Sequence, residues 1–251
     1  MKNVKAKKYL GQHFLNDEKI ARKITDLINN DTKNLIEIGP GMGILTKFLE
    51  NKKYTIQVVE IDHESVSYLR KKYPKLNILE GDFLKLNIRK TYPFNFSLIG
   101  NFPYNISSQI LFKVFENRNQ IAEIVGMFQK EVAERIVCKK GKKKGVLSVL
   151  LQTFYNIEYC FTVHENVFTP KPKVKSGVIK LLRNQRKDLS VNEKKFKRII
   201  KATFNQRRKT LRNGLKPFIL INKKEIADLL HLRPEQLSVD DFIKITNHVR
   251  E

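Results

Sequence analysis

The sequence is short of cysteine, of acidic residues relative to basic ones and of long apolar runs, and each shortage closes off a class of function. Cys138 and Cys160 are the only two cysteines, too few for a disulfide framework and lacking the second pair that a thiolate zinc site needs. Both are expected to be free thiols in a reduced, cytoplasmic setting. No apolar run approaches the roughly 18 residues of a membrane-spanning helix, and the basic start MKNVKAKKYLGQHF has no apolar stretch behind it to make a signal peptide. Neither secretion nor membrane insertion is expected. The five histidines show no H-E-x-x-H spacing, and no serine or cysteine nucleophile motif occurs. No metal is expected.

Positive charge is what the chain has in abundance: 49 Lys+Arg against 25 Asp+Glu, a formal net charge of +24. Such an excess repels itself in a compact state and is usually tolerated when a polyanion is the partner, with nucleic acid the leading candidate. Lysines scattered singly along the chain also fit a generally lysine-rich composition. At 251 residues with 41% hydrophobic residues, there is enough chain for one large domain and a small one.

The clearest pattern begins at Leu35-Ile36-Glu37-Ile38, a short apolar run that stops at Gly39-Pro40-Gly41-Met42-Gly43. It reads as a strand ending in a tight turn, followed by a helix over 44–52 and a β-branched strand over 55–61, a βαβ unit. Alternation continues with a helix over 64–72, a strand over 77–80, a buried strand over 96–100, a helix over 107–115, a strand over 121–129 and a helix over 131–138. Strands near 156–163 and 177–182 complete an open, mostly parallel sheet with an antiparallel edge. After Arg186 the pattern turns to short, charged, helix-compatible segments over 193–204, 207–215, 223–230 and 239–249, the last with an N-cap signal at Ser238 and Asp241. The expectation is an α/β domain over 1–185 and a small all-helical domain over 186–251.

The glycines at 39, 41 and 43 have G-x-G-x-G spacing instead of the G-x-G-x-x-G of dinucleotide sites. A pyrophosphate needs amides at a helix N-terminus, whereas a nucleoside without phosphates needs close backbone approach, which Gly39 and Gly41 allow. Glu60 ends the second strand, where a carboxylate can accept from both ribose hydroxyls. Asp82 follows the third strand and is placed to accept from an adenine amine, with Ile61 and Phe83 available to sandwich the ring. Singly, a glycine turn is common and an acidic strand end is often a solvated residue or helix cap. In this order along one sheet, the three point to an adenosine-type cofactor.

The fourth strand ends in Asn101-Phe102-Pro103-Tyr104. An exocyclic amine of adenine is a weak nucleophile because its lone pair is delocalised into the ring. The Asn101 side-chain oxygen and the backbone carbonyl before Pro103 can accept its two hydrogens and localise that lone pair opposite an electrophilic methyl. Pro103 fixes the backbone and brings no competing N–H, and Tyr104 can stack on a base drawn out of its helix or loop. Out of context the same four residues also read as an asparagine-initiated turn with a buried aromatic.

With these residues in place the chain resembles the ribosomal RNA adenine N6,N6-dimethyltransferase family, most closely its bacterial small-subunit branch, the one linked to kasugamycin sensitivity. The resemblance covers nearly the whole chain. It runs through Leu10-Gly11-Gln12-His13-Phe14-Leu15, Glu37 to Gly43, Glu60, Gly81-Asp82, Asn101 to Ser107, Phe128 to Arg135, and Phe168-Thr169-Pro170-Lys171-Pro172-Lys173-Val174-Lys175-Ser176. It implies a Rossmann-like methyltransferase sheet and S-adenosyl-L-methionine as cofactor, with His13 and Leu15 joining Gly39, Glu60, Asp82 and Asn101 around it. The family often has Asn where this chain has His13, and histidine can also hydrogen-bond a cofactor. The resemblance further implies that Phe168 stacks on the target adenine across from Tyr104. The implied substrate is a pair of neighbouring adenosines in a hairpin loop near the 3′ end of small-subunit rRNA, each methylated twice during late ribosome assembly.

Two basic segments are candidate phosphate contacts. Lys139 to Gly145 (KKGKKKG) reads equally as a solvated loop. Asn205 to Lys216 carries Arg207, Arg208, Lys209 and Arg212, whose guanidinium groups suit bidentate phosphate contacts, and it resembles the family's F-x-Q-R-R-K-x-L-R. Lys2, Lys5, Lys7 and Lys8 read as a flexible basic arm, ordered only when cofactor or RNA binds. A monomer is expected. Two other readings stay open: the sister enzyme that methylates large-subunit rRNA and confers macrolide resistance, and a non-catalytic RNA-binding assembly factor on the same scaffold. The stretch 129–135 and Arg233 to Phe242 resemble the small-subunit branch, and Glu60, Asp82 and Asn101 are intact, as catalysis requires.

Overall fold

A computed structural model describes residues 4–50 and 52–250; Lys2 of the basic arm lies outside the described residues. In chain order the elements are β1 (Phe14–Leu15), α1 (Glu18–Thr25), β2 (Asn34–Ile38), α2 (Thr46–Leu49), β3 (Thr55–Glu60), α3 (His63–Lys72), β4 (Asn77–Glu80), α4 (Ile88–Thr91), β5 (Phe96–Asn101), α5 (Ser107–Glu116), β6 (Ile121–Gln129), α6 (Lys130–Val137), α7 (Val146–Phe154), β7 (Tyr155–Val163), β8 (Phe168–Thr169), β9 (Ser176–Arg183), α8 (Glu193–Asn205), α9 (Leu211–Gly214), β10 (Ile219–Leu220), α10 (Val239–Asn247) and β11 (Val249–Arg250). Two compact units emerge. The first runs to Ala133 and resumes over Asn156–Arg183; the second comprises Glu134–Tyr155 and the chain from Asn184 onward.

The first unit holds a seven-stranded sheet of order β4-β3-β2-β5-β6-β9-β7. From β4 through β6 every pairing is parallel, and β9 joins β6 antiparallel. This is the expected Rossmann-like arrangement. Strands buried on both faces read as continuous apolar runs, as Leu35, Ile36, Leu98, Ile99, Ile124 and Val125 do, all at most 1% exposed. Chain order reverses beside β2, since β3 and β4 lie on one side and β5 and β6 on the other. In open α/β sheets ligands bind at that switch, beyond the carboxyl ends of the strands.

The turn after β2 is longer and tighter than a helix from Ile44 requires. Gly39, Gly41 and Gly43 all take positive φ (65°, 56° and 78°), a region that favours glycine, so helix geometry begins only at Thr46. A Cβ on Gly43 would sit 2.7 Å from the Tyr73 ring, whose hydroxyl donates to the Gly43 carbonyl at 3.1 Å. Asp62 caps α3, its carboxylate accepting from the Glu64 N–H.

The second unit is built on α7, α8 and α10. The expectation of a domain beginning at 186 leaves out 134–155, where Val146 to Phe154 is a short, mostly buried apolar run whose pattern does not separate a buried helix from a buried strand. Helix α8 forms where expected, with Phe196, Ile199, Ile200 and Phe204 on its buried face. Ser238 and Asp241 close a capping box at the start of α10, as the spacing suggested. Two expectations are corrected. The basic stretch 207–215 is not one helix but a turn through Arg207 and Arg208 leading to the short α9, and 223–230 is a three-ten turn over Lys223–Ile226 followed by turns. Nor is the unit all-helical, because β10 pairs with β11.

Candidate active site

A cavity of about 240 Å³ opens at the carboxyl ends of β2, β3, β4 and β5. Its walls include His13, Leu15, Gly39, Gly41, Glu60, Ile61, Asp82, Phe83, Asn101, Pro103 and Tyr104, so the structure brings together all the residues expected at the cofactor and the base except Phe168.

On the β2–β4 side the wall offers close approach and acceptors. A Cβ built on Gly39 or Gly81 meets no atom within 4 Å, which marks open space in front of bare backbone. Glu60 is 3% exposed. One of its oxygens accepts from the Gly41 N–H at 3.0 Å and the other from the Asp62 N–H at 2.9 Å. Burial without a bonded cation pushes its pKa up. A carboxylate so placed keeps lone pairs for neutral donors, and the two hydroxyls of a ribose are such donors. Asp82 accepts from the Leu84 N–H at 2.8 Å through Oδ1; its Oδ2 has no partner among the described residues. Ile61 is 51% exposed, an unusual state for that side chain, while Phe83 is buried. Lys113 fixes the Phe83 turn by donating to the carbonyls of Leu84 and Leu86, each at 2.7 Å. The acceptors and the open glycine backbone fit an adenosine moiety.

On the β5 side, Phe102 anchors the loop. Its N–H donates to the Met127 carbonyl at 3.1 Å and its ring lies over Gly126, where a Cβ would come within 2.3 Å of it, with the Phe128 ring 4.9 Å away. Asn101 is therefore held at the strand end. Its Nδ2 donates to the His13 carbonyl at 2.9 Å, so the amide is oriented and Oδ1 remains as the free acceptor. The Tyr104 hydroxyl and Ser176 Oγ are 2.6 Å apart, with Ser176 fully buried.

Two expected roles look different in three dimensions. The His13 ring packs 5.3 Å from that of Tyr104 at 33°, and its Nδ1 donates to the Pro170 carbonyl at 2.7 Å, which turns the imidazole to the base side. Phe168 is not on the cavity wall. Pairing of β1 with β8 sets it opposite Leu15, and its 3% exposed ring belongs to the core with Leu15, Val163 and Val178. As it stands this ring packs in the core and does not line the cavity.

A strap not legible in the sequence ties the N-terminal segment to the start of α3. The Lys7 ammonium pairs with Asp62 and, at 3.2 Å, with Glu64, while Gln12 donates to Asp62 at 3.2 Å and accepts from the Lys7 N–H at 2.8 Å. Lys7 is thus committed to the cavity rim and is not free in a basic arm. The pattern Asp62-x-Glu64 at a strand-to-helix junction was a legible cap signal; its distant partner Lys7 was not.

In the second unit Arg207, Arg208, Lys209 and Arg212 are all exposed. Arg207 donates to the Lys142 carbonyl, joining the two basic segments. Lys144 is withdrawn: it is 1% exposed, and its ammonium donates to the carbonyls of Lys139 and Leu237.

The family model for ribosomal RNA adenine dimethylase matches residues 3–249. A ribosomal RNA small subunit methyltransferase A of Cytophaga hutchinsonii is 55% identical, covering 98% of both chains; that of Bacteroides thetaiotaomicron is 53% identical over 100% of this chain and 96% of its own. Among solved structures, a dimethyladenosine transferase from Plasmodium falciparum superposes with a TM-score of 0.77 at 27% identity, covering 93% of this chain and 96% of that one. The 23S rRNA methyltransferase ErmE does so at 0.72 and 22% identity, covering 93% and 99%, a likeness of fold.

Proposed function

The chain belongs to the ribosomal RNA adenine dimethylase family, and from that premise we propose that it methylates N6 of two adjacent adenosines in a hairpin loop near the 3′ end of small-subunit rRNA, giving N6,N6-dimethyladenosines. S-adenosyl-L-methionine is the cofactor and supplies an electrophilic methyl group. The observation that carries the reading is the oriented amide of Asn101 in a cavity whose other wall presents Glu60 and Asp82.

Glu60 accepts from the ribose hydroxyls and Asp82 from the cofactor's adenine amine, while Gly39 admits the nucleoside against bare backbone and Ile61 and Phe83 cover its ring; Gly41, whose Cβ position is taken by the Phe14 ring, serves instead by donating its N–H to Glu60. On the other side Asn101 Oδ1 and the Phe102 carbonyl, the one before Pro103, accept the two hydrogens of the target amine. That drains delocalisation from the nitrogen and turns its lone pair outward. Tyr104 stacks on the base, its ring angle fixed through Ser176. An uncharged Asn101 imposes no demand for two donor hydrogens, so an amine already bearing one methyl is still accepted. Arg207, Arg208, Lys209 and Arg212 of the second unit contact phosphate.

The small-subunit assignment rests on relatives 51–55% identical that bear that name, whereas the large-subunit enzyme shares the fold at 22%. In this reading the substrate is presented within an assembling subunit in the cytoplasm, and the protein acts as a monomer. No helix among the described residues is long and apolar enough to cross a membrane. The test is transfer of labelled methyl to small-subunit particles lacking the modification, with nucleoside analysis. Dimethyladenosine in small-subunit rRNA is expected; label in large-subunit rRNA, or none, overturns the proposal.

A further inference from the structure

Among the described residues, Tyr9 is the one aromatic on the cavity wall that is left exposed, at 76%. The backbone beneath it is fixed. Lys8–Leu10 form a three-ten turn closed by donation from the Leu10 and Gly11 N–H groups to Lys7 and Lys8. Asn105 Nδ2 donates to the Tyr9 carbonyl at 3.4 Å, and Lys7 is tied to Asp62. Gly11 sits at φ 65°, where a Cβ would come within 2.5 Å of Asn105 Oδ1, so the turn closes against Asn105 only with glycine there. A ring held outward on a fixed turn buries almost nothing and gives the fold little in return. Exposed Lys5 and Lys8 flank it, neither with an ion-pair partner among the described residues. Asn105 directly follows Tyr104, so the turn is bonded to the loop that receives the base.

We propose that Tyr9 is a stacking platform for the unpaired nucleobase next to the target adenosine, with Lys5 and Lys8 meeting the adjoining phosphates. The inference rests on the rRNA reading above. A base drawn out of its stack leaves its neighbour with an uncovered face, and an exposed aromatic ring between cations takes up such a face with little regard to sequence. Where two adjacent adenosines are both substrates, that neighbour is the second adenosine while the first occupies the cavity.

The experiment compares wild type with Tyr9→Ala, Tyr9→Phe and Tyr9→Trp in methyl transfer to unmodified small-subunit particles, alongside titration of each protein with S-adenosylmethionine alone. Stacking on one aromatic corresponds to about a 5- to 140-fold loss on truncation to alanine. Tyr9→Ala is expected to lose kcat/KM for particles in that range, Tyr9→Phe and Tyr9→Trp to keep it, and all four to bind the cofactor alike. Transfer by Tyr9→Ala within twofold of wild type overturns the subsite and leaves the functional reading intact. A parallel loss of cofactor affinity also overturns it, by assigning Tyr9 to the cofactor. Absence of transfer by the wild type overturns the functional reading and the subsite with it.

Discussion

The two sides of the cavity are assembled in different ways. On the cofactor side, Gly39–Gly43, Glu60–Asp82 and the Phe83 turn come from the ends of β2, β3 and β4, which are consecutive in the chain and adjacent in the sheet. On the base side, Asn101 is oriented by His13, Tyr104 by Ser176, and His13 by Pro170, partners 72 to 157 residues apart in sequence. A wall made from successive strand ends spreads its binding over many partial contacts, so a single loss weakens it by degrees. A wall whose main acceptor is aimed by one distant carbonyl concentrates its effect in one amide.

Asn101→Ala breaks that comparison most sharply if it is wrong. Loss of an oriented acceptor that acts on developing charge lowers kcat by about 10²- to 10³-fold, with a much smaller change in cofactor affinity; steady-state transfer and calorimetry together separate the two. Glu60→Ala is expected to do the reverse, weakening S-adenosylmethionine binding about 10- to 100-fold, as removal of a charged acceptor does. Equal losses of affinity in both variants would mean that the two sides do not divide the labour.

The same contrast explains what the sequence could disclose. Gly39, Gly41, Glu60 and Asp82 were legible because each stands at the end of an apolar run, and regular alternation fixes which end of a strand faces the crevice. The position of Asn101 was legible for that reason, but the orientation of its amide was not, since a main-chain carbonyl 88 residues away sets it. Phe168 lies in a motif that resembles the family's, yet motif membership says nothing of which way a ring turns once Leu15 pairs across from it. Arg207 to Lys209 share the composition of a helix, and composition alone gave no sign of the break after Asn205. Helix α7 is not legible as a helix because a nine-residue apolar run, buried over most of its length, reads equally as a buried strand.

A further test bears on the cofactor wall alone. Glu37 is 1% exposed; burial pushes its pKa from 4.5 to about 8, the charge of Glu60 adds to that, and the Thr46 hydroxyl donating at 2.6 Å works against it. Between those values the folded state holds a proton that the unfolded state has released. Stability therefore falls as pH rises through this window, by at most about 1.4 kcal/mol per pH unit from this group, and levels off above it. Glu37→Gln keeps a neutral acceptor for Thr46 and is expected to flatten the slope, read from denaturant midpoints across the window.

The smallest effect belongs to Ser176→Ala, and it sharpens the account of the base wall. Tyr104 would keep its ring, its backbone and its contact with His13, losing only the partner of its hydroxyl. A neutral hydrogen bond of this kind contributes about 0.5–1.5 kcal/mol, and the freed hydroxyl, whose ionisation burial already disfavours, stays protonated. About a two- to tenfold drop in kcat is expected with cofactor affinity unchanged. If Tyr104→Phe shows the same drop and the double variant no more than either, the bond acts by holding the ring at its stacking angle. Additive losses would instead mean that Ser176 and the tyrosine hydroxyl act separately, and the base wall would then be less dependent on its distant partners than the geometry argues.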